Sequence, residues 1–231
     1  MENEFIEGII QAFILLFTFD DELWGIMGLS IRVSLTSIFF AALIGLPIGS
    51  FIGLRKFRGK KILTNLINTF MGFPPVVMGL IVFFLLSRSG PLGDLALLYS
   101  PTAMIVAQLF LATPIVIGTT KAAIESVDPN LQQTIVSLGA TEIQLWWQLI
   151  KESRRSILAG ILVGFGQIIS EVGAVMIVGG NIRWYTRTFT TAIVLYTRMG
   201  EFGMAIALGS ILILITFLIN YFMTYLQTRD D

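Results

Sequence analysis

Five long apolar runs decide the solvent in which this chain folds. Residues 24–54, 62–86, 101–120, 157–180 and 203–226 each reach the roughly 20 residues that a helix needs to cross hydrocarbon. Lipid offers no hydrogen bonds, so every backbone N–H and C=O in such a run must be satisfied within the protein, and a helix does this most simply. The expected fold is all-α, a polytopic membrane helical bundle with about five transmembrane helices, and residues 1–231 read as a single transmembrane domain. Residues 5–19 are short for a span and are followed by Asp20, Asp21 and Glu22. They form either an interfacial helix or a sixth span. Charged residues are only 13% of the chain, against roughly 25% in an average soluble protein.

The polar inventory removes several kinds of chemistry. With no Cys and no His, there are no disulfides, thiolate or imidazole metal ligands, or imidazole general bases. A formal net charge of zero gives no electrostatic reason to expect a nucleic-acid partner. Glu2, Glu4 and Glu7 stand where a signal peptide carries basic residues, so none is expected. A phosphate-binding loop requires G-x-x-x-x-G-K-[ST]. The nearest stretch, Gly53 to Lys60, has five residues between its glycines and Lys61 after the lysine. Any use of ATP therefore falls to a partner.

Orientation follows from the cations. With five spans, Arg55, Lys56, Arg58, Lys60, Lys61, Lys121, Lys151, Arg154, Arg155 and Arg229 share one side. Arg32, Arg88, Arg183, Arg187 and Arg198 share the other, a ratio of ten to five. The excess belongs in the cytoplasm, which puts the N-terminus outside and the C-terminus inside.

One charged segment on the cytoplasmic side is patterned as a helix. In residues 128–155, Leu131, Ile135, Leu138, Glu142, Leu145 and Leu149 recur at spacings of three and four, the period of an amphipathic helix. Asp128 and Pro129 suit the N-cap and first helical position. Gly139 interrupts the pattern, where glycine is about 1 kcal/mol less favourable than alanine. An amphipathic cytoplasmic hairpin between spans is expected to contact something outside the membrane.

Within the spans a few groups stand out. Gly72-Phe73-Pro74-Pro75 breaks the second run, since two adjacent prolines remove two backbone donors. The break is either a packing kink or part of a pathway lining. In the fourth run Gly160, Gly164, Gln167, Glu171 and Ala174 fall on one helical face, with Gly160 and Gly164 able to admit a neighbouring backbone. A carboxylate at mid-membrane is unfavourable by about 2.5–3.5 kcal/mol. Glu171 is thus either a functional group or one satisfied by a neighbouring helix. Residues 181–202 read as a polar stretch on the outer side. Thr216, Asn220 and Thr224 on the fifth run read as interhelical hydrogen-bonding groups.

These residues resemble a known family. Gln133-Thr134-Ile135, three residues and then Gly139 is similar to the E-A-A-x-x-x-G motif of binding-protein-dependent ABC transporter permeases. It departs at all three of the first positions, and Glu152 stands where that family's later proline is expected. Phe73-Pro74-Pro75-Val76-Val77-Met78-Gly79 is similar to the L-P-P-V-V-x-G of molybdate and sulfate permeases. Ser170-Glu171-Val172-Gly173-Ala174 resembles their G-E-F-G-A. The run Val178-Gly179-Gly180-Asn181-Ile182, Thr186-Arg187 and Thr190-Thr191-Ala192-Ile193 is closer to tungstate permeases.

The resemblance implies a homodimeric permease in the cell membrane, importing an oxyanion, most readily tungstate, by alternating access. It implies cytoplasmic ABC ATPase subunits that hold ATP and Mg, so that this chain needs no cofactor of its own. It also implies an extracytoplasmic oxyanion-binding protein. Gln133, Thr134, Ser137, Leu138, Gly139, Ala140 and Thr141 would form the ATPase-coupling segment. Pro74, Pro75, Gln167, Ser170, Glu171, Arg183, Arg187, Thr188 and Thr190 are the pathway or gate candidates. Arg183, Arg187, Thr188 and Thr190 either guide the anion at the outer mouth or anchor that face against headgroups or the binding protein. Molybdate and sulfate are the alternative cargoes. An ion-gradient-driven secondary anion transporter is the alternative class, though no inverted repeat is visible. No domain beyond the membrane part is expected.

Overall fold

A computed structural model describes residues 2–18 and 20–228; Phe19 and Arg229, used above in the N-terminal segment and the charge count, lie outside the described residues. The described residues form a succession of helices: α1 (Glu2–Phe17), α2 (Asp21–Leu54), α3 (Lys60–Met71), α4 (Pro75–Leu86), α5 (Pro101–Glu125), α6 (Pro129–Ser137), α7 (Glu142–Glu152), α8 (Arg154–Ile169), α9 (Gly173–Gly179), α10 (Phe189–Met199) and α11 (Phe202–Thr228). A single 3-10 turn, Gly93–Leu95, lies between α4 and α5. Three helices, α2, α5 and α11, are long and apolar enough to cross a membrane alone. The pairs α3 with α4 and α8 with α9 qualify only when each interrupted pair is taken as one span, which brings the number to five.

The first interruption falls at Gly72-Phe73-Pro74, where the prolines place it, and Pro75 then opens α4. The second corrects the expectation of a continuous helix over 157–180. Ser170, Glu171 and Val172 are not helical, so the face drawn from Gly160 to Ala174 does not continue past Ile169. Tertiary bonds replace the helical ones. The Glu171 carboxylate accepts from the Ala174 N–H at 3.1 Å, and the Thr190 hydroxyl donates to the Glu171 carbonyl at 2.9 Å. Residues 181–202 differ as well, because they contain α10, capped reciprocally by Thr188 and Thr191.

By their contacts the described residues group into two compact units, one drawn from within 1–35, 75–108 and 169–231 and the other from 36–74 and 109–168. In the first unit α1 lies along α11, as does α10. Ala12, Leu23, Ile26, Phe189, Ala192, Ala207, Leu208 and Ile211 form a buried cluster there. The first apolar segment is therefore a helix packed on α11, with Ile6, Ile10, Phe13 and Ile14 facing outward. Also in this unit, α4 packs on α9; a Cβ on Gly79 would come within 2.6 Å of the Ala174 Cα.

In the second unit the C-terminal half of α2 packs on α5 through glycines four residues apart. A Cβ at Gly45 would meet Val116 at 2.8 Å, at Gly49 the Ile117 carbonyl at 2.6 Å, and at Gly53 Ile124 at 3.0 Å. Small residues at this spacing let two membrane helices come into backbone contact, where dispersion can hold them together without a hydrophobic driving force.

Candidate functional site

The hairpin of the second unit is built by three local signals. Asp128 caps α6, its carboxylate accepting from the Asn130 N–H at 2.8 Å. At the other end of α6 the chain reverses through Gly139, whose φ of 82° lies in the left-handed region that costs an L-residue about 1–2 kcal/mol. The Gly139 N–H donates to the Val136 carbonyl at 3.0 Å and the Ala140 N–H to the Ile135 carbonyl at 3.3 Å, the paired bonds of a Schellman stop. Thr141 then opens α7 with a capping box: its hydroxyl accepts from the Gln144 N–H, and the Gln144 side chain accepts from the Thr141 N–H at 2.8 Å.

The base of the hairpin is fixed to the unit. Leu149 is fully buried against Ile124 and Val127, with Leu54, Leu131, Leu145 and Ile150 around them. The Ser153 hydroxyl donates to the Ala123 carbonyl at 3.1 Å. Arg55 pairs with Glu142. The tip is a different surface. Gln133, Thr134, Ser137 and Thr141 are exposed, Ala140 is half-buried, Leu138 is 81% exposed and Val136 54%. Among the described residues, none beyond Gly139 and its two chain neighbours has an atom within 4 Å of where a Gly139 Cβ would stand. A rigid base thus presents an apolar tip on a well-defined turn, which is suited to docking rather than catalysis.

Arg183, Arg187, Thr188 and Thr190 belong to the first unit and fall into two groups. Arg183 and Arg187 both bind Glu22, at 2.5 Å and 2.9 Å. The Tyr196 hydroxyl donates to the same carboxylate at 3.4 Å. Hydrogen bonding to Glu22, and then its charge, hold the Arg183 guanidinium above its ordinary pKa. Arg183 also lies over the Trp184 ring, 5.4 Å from its centroid. Thr188 and Thr190 are buried instead of lining an exposed mouth. Their hydroxyls lie 3.3 Å apart, and Thr190 holds the Glu171 carbonyl. Glu171, Thr188 and Thr190 therefore form one hydrogen-bonded group, and the two arginines another. Gln167, Ser170 and Pro74 are exposed, and Pro75 is half-buried.

Two participants escaped the sequence. Glu22 read as an acidic flank, yet it organises both arginines from 161 and 165 residues away. Arg198 counted only as a charge, yet it lines a cavity of about 340 Å³ with Asn181 and Arg187. The buried Arg187 Nε and Asn181 Oδ1 have no hydrogen-bond partner among the described residues. No short-range pattern marks either residue.

Broken and continuous membrane helices with an exposed, glycine-turned hairpin suit a transport subunit. Residues 45–229 match the family described as binding-protein-dependent transport system inner membrane component, and the chain belongs to this family of ABC transporter permeases. It is 41% identical over 221 residues to the tungstate uptake system permease protein TupB of Peptoclostridium acidaminophilum, covering 96% of this chain and 97% of that one. It is 39% identical to the Campylobacter jejuni protein of the same name, covering 93% and 90%. Its fold is similar to a chain of a bacterial ABC transporter involved in the import of the acidic polysaccharide alginate, with a TM-score of 0.76, 18% identity and coverage of 95% and 83%. The chain is a multi-pass membrane permease of this family, whose members are transport subunits of binding-protein-dependent systems.

Proposed function

We propose that this chain is the membrane permease of an ATP-driven tungstate importer, acting as a single transmembrane domain in a homodimer. The hairpin carries the coupling part of this reading. Val136 and Leu138 at its tip offer exposed apolar surface, while buried Leu149 ties its base to the helices. A push on the tip is thereby passed to the membrane part, since packed elements move as bodies rather than deform. Two cytoplasmic ATPases, holding ATP and Mg, would receive the hairpins through Gln133, Thr134, Ser137, Leu138, Gly139, Ala140 and Thr141. The likeness to tungstate permeases along the whole chain supports the cargo.

The cytoplasmic excess of cations supports an orientation with the N-terminus outside, the C-terminus inside and an oxyanion-binding protein on the outer face. There the anion would approach Arg187 and Arg198. Glu22 cancels one of the charges of Arg183 and Arg187, which leaves attraction without a trap too deep for release. Pro74 and Pro75 at the first helix interruption, Gln167, Ser170 and Glu171 at or beside the second, and Thr190, whose hydroxyl reaches the Glu171 carbonyl, with Thr188 beside it, remain gate candidates.

The test is ATP hydrolysis by liposomes containing the permease, its ATPase and its binding protein, with tungstate, molybdate and sulfate added in turn at low concentration. Stimulation by tungstate at the lowest concentration is expected. Stimulation by molybdate or sulfate first would retain the importer and replace its cargo. Anion uptake driven by an ion gradient without any ATPase would overturn the coupling assignment.

A further inference from the structure

The turn between α2 and α3 carries Arg55, Lys56, Arg58, Lys60 and Lys61 within seven residues. Two of these five are committed inside the protein. Arg55 pairs with Glu142. Lys60 pairs with Glu125 at 2.9 Å and donates to the Gly53 carbonyl at 3.3 Å. The two nearby acids are thus occupied, Glu125 by Lys121 as well. Lys56, Arg58 and Lys61 are exposed and make no ion pair among the described residues.

Apolar side chains flank these cations along the chain. Phe51 precedes them with 56% of its surface exposed, and Ile62 and Leu66 follow with 69% and 51%. Phe57, within the turn, packs its ring on Phe51 with centroids 6.1 Å apart. In the same unit a cavity of about 330 Å³ is lined by Phe51, Leu54, Ile143, Leu145 and Trp146, with Arg55 and Glu142 among the lining. Trp146 and Trp147 meet edge to face; amphipathic rings of this kind collect at headgroup depth.

We propose that this turn and cavity form a binding site for an anionic phospholipid. Its phosphate lies among Lys56, Arg58 and Lys61, and its upper acyl chain lies over Phe51, Phe57 and Leu54 beside Trp146. Exposed cations bounded on both sides by exposed apolar side chains match a molecule that is anionic at the head and apolar below. A soluble anion would use only the first half of that arrangement. The site does not depend on the cargo being tungstate, only on α2 lying in the bilayer.

The test is native mass spectrometry of the purified permease–ATPase complex equilibrated with phosphatidylglycerol or phosphatidylcholine. Each cation near the surface is worth roughly a fivefold preference. The wild type should therefore retain phosphatidylglycerol in clear excess, and the K56Q/R58Q/K61Q variant should lose most of it. The K56R/R58K/K61R variant, which keeps all three charges, should retain it. Equal retention of the two lipids by the wild type, or unchanged retention by the neutral variant, overturns the site. Displacement of the lipid by millimolar glycerol 3-phosphate would assign the cations to a free phosphate instead. Loss of the ATPase from the neutral variant with lipid retention intact would make the turn a protein-docking surface, which also overturns the lipid assignment.

Discussion

Gly139 offers a substitution series in which backbone conformation and side-chain size predict different orders. Its φ of 82° excludes an ordinary L-residue at a penalty of about 1–2 kcal/mol, while the space around its missing Cβ is open. Gly139→Ala should therefore act through the turn alone and shift the equilibrium away from the native turn by roughly 5- to 30-fold. The base of the hairpin should stay folded, since Leu149 remains buried. Asn tolerates the left-handed region better than Ala, so Gly139→Asn should retain more coupling despite its larger side chain. Gly139→Val, β-branched at positive φ, should be the worst. The assay is ATP-driven tungstate uptake in proteoliposomes, together with the ATPase concentration needed for half-maximal assembly. That concentration should rise in the order Gly, Asn, Ala, Val. An order following side-chain volume, with Ala better than Asn, would refute the backbone argument and mean that the partner's groove limits size at this point. Wild-type values for all three variants would remove the hairpin from coupling altogether.

Three further predictions test the rest of the site. Leu149→Ala empties a fully buried position and should destabilise the protein by about 2–5 kcal/mol, whereas Leu138→Ala at the exposed tip should change thermal stability by less than about 0.5 kcal/mol and still weaken ATPase assembly. Melting curves set beside co-purification of the ATPase separate the two. Glu22→Gln leaves the mostly buried Arg187 without its carboxylate; because both side chains are partly solvated, the loss should be about 1–3 kcal/mol, below the full penalty for a broken buried pair. A melting temperature equal to wild type would mean that the cluster adds nothing to stability. Glu171→Ala removes the acceptor for the Ala174 N–H and should lose about 1 kcal/mol, while Glu171→Gln keeps an acceptor and should lose little. If Gln instead abolishes uptake as fully as Ala while the protein stays folded, the charge itself is needed.

The parts of this protein legible in one dimension are those set by local chemistry. The three uninterrupted spans, the Asp128-Pro129 start, the glycine stop at 139 and the proline break at 74–75 each follow from bonds made within a few residues, and each appears where the sequence places it. The hairpin candidates of residues 133–141 were legible for the same reason. Arg183, Arg187, Thr188 and Thr190 are legible only from composition and resemblance, which do not separate the exposed Arg183 from the buried Thr188 and Thr190.

What the tertiary structure decided rests on partners distant in the chain. The fourth apolar run has the composition of one helix, yet it breaks at Ser170–Val172 because Thr190, a residue 19 positions on, satisfies the Glu171 carbonyl. Glu22 became the centre of the arginine cluster only when folding brought residues 183 and 187 to it. Helical periodicity records which face of a segment is apolar, but the hydrogen bonds that let a membrane segment stop being helical come from elsewhere in the fold. Inside lipid, water cannot make those bonds in their place. The sequence alone therefore determined which segments are apolar enough to cross the membrane and where the local start and stop signals lie, and the tertiary structure determined where those segments open.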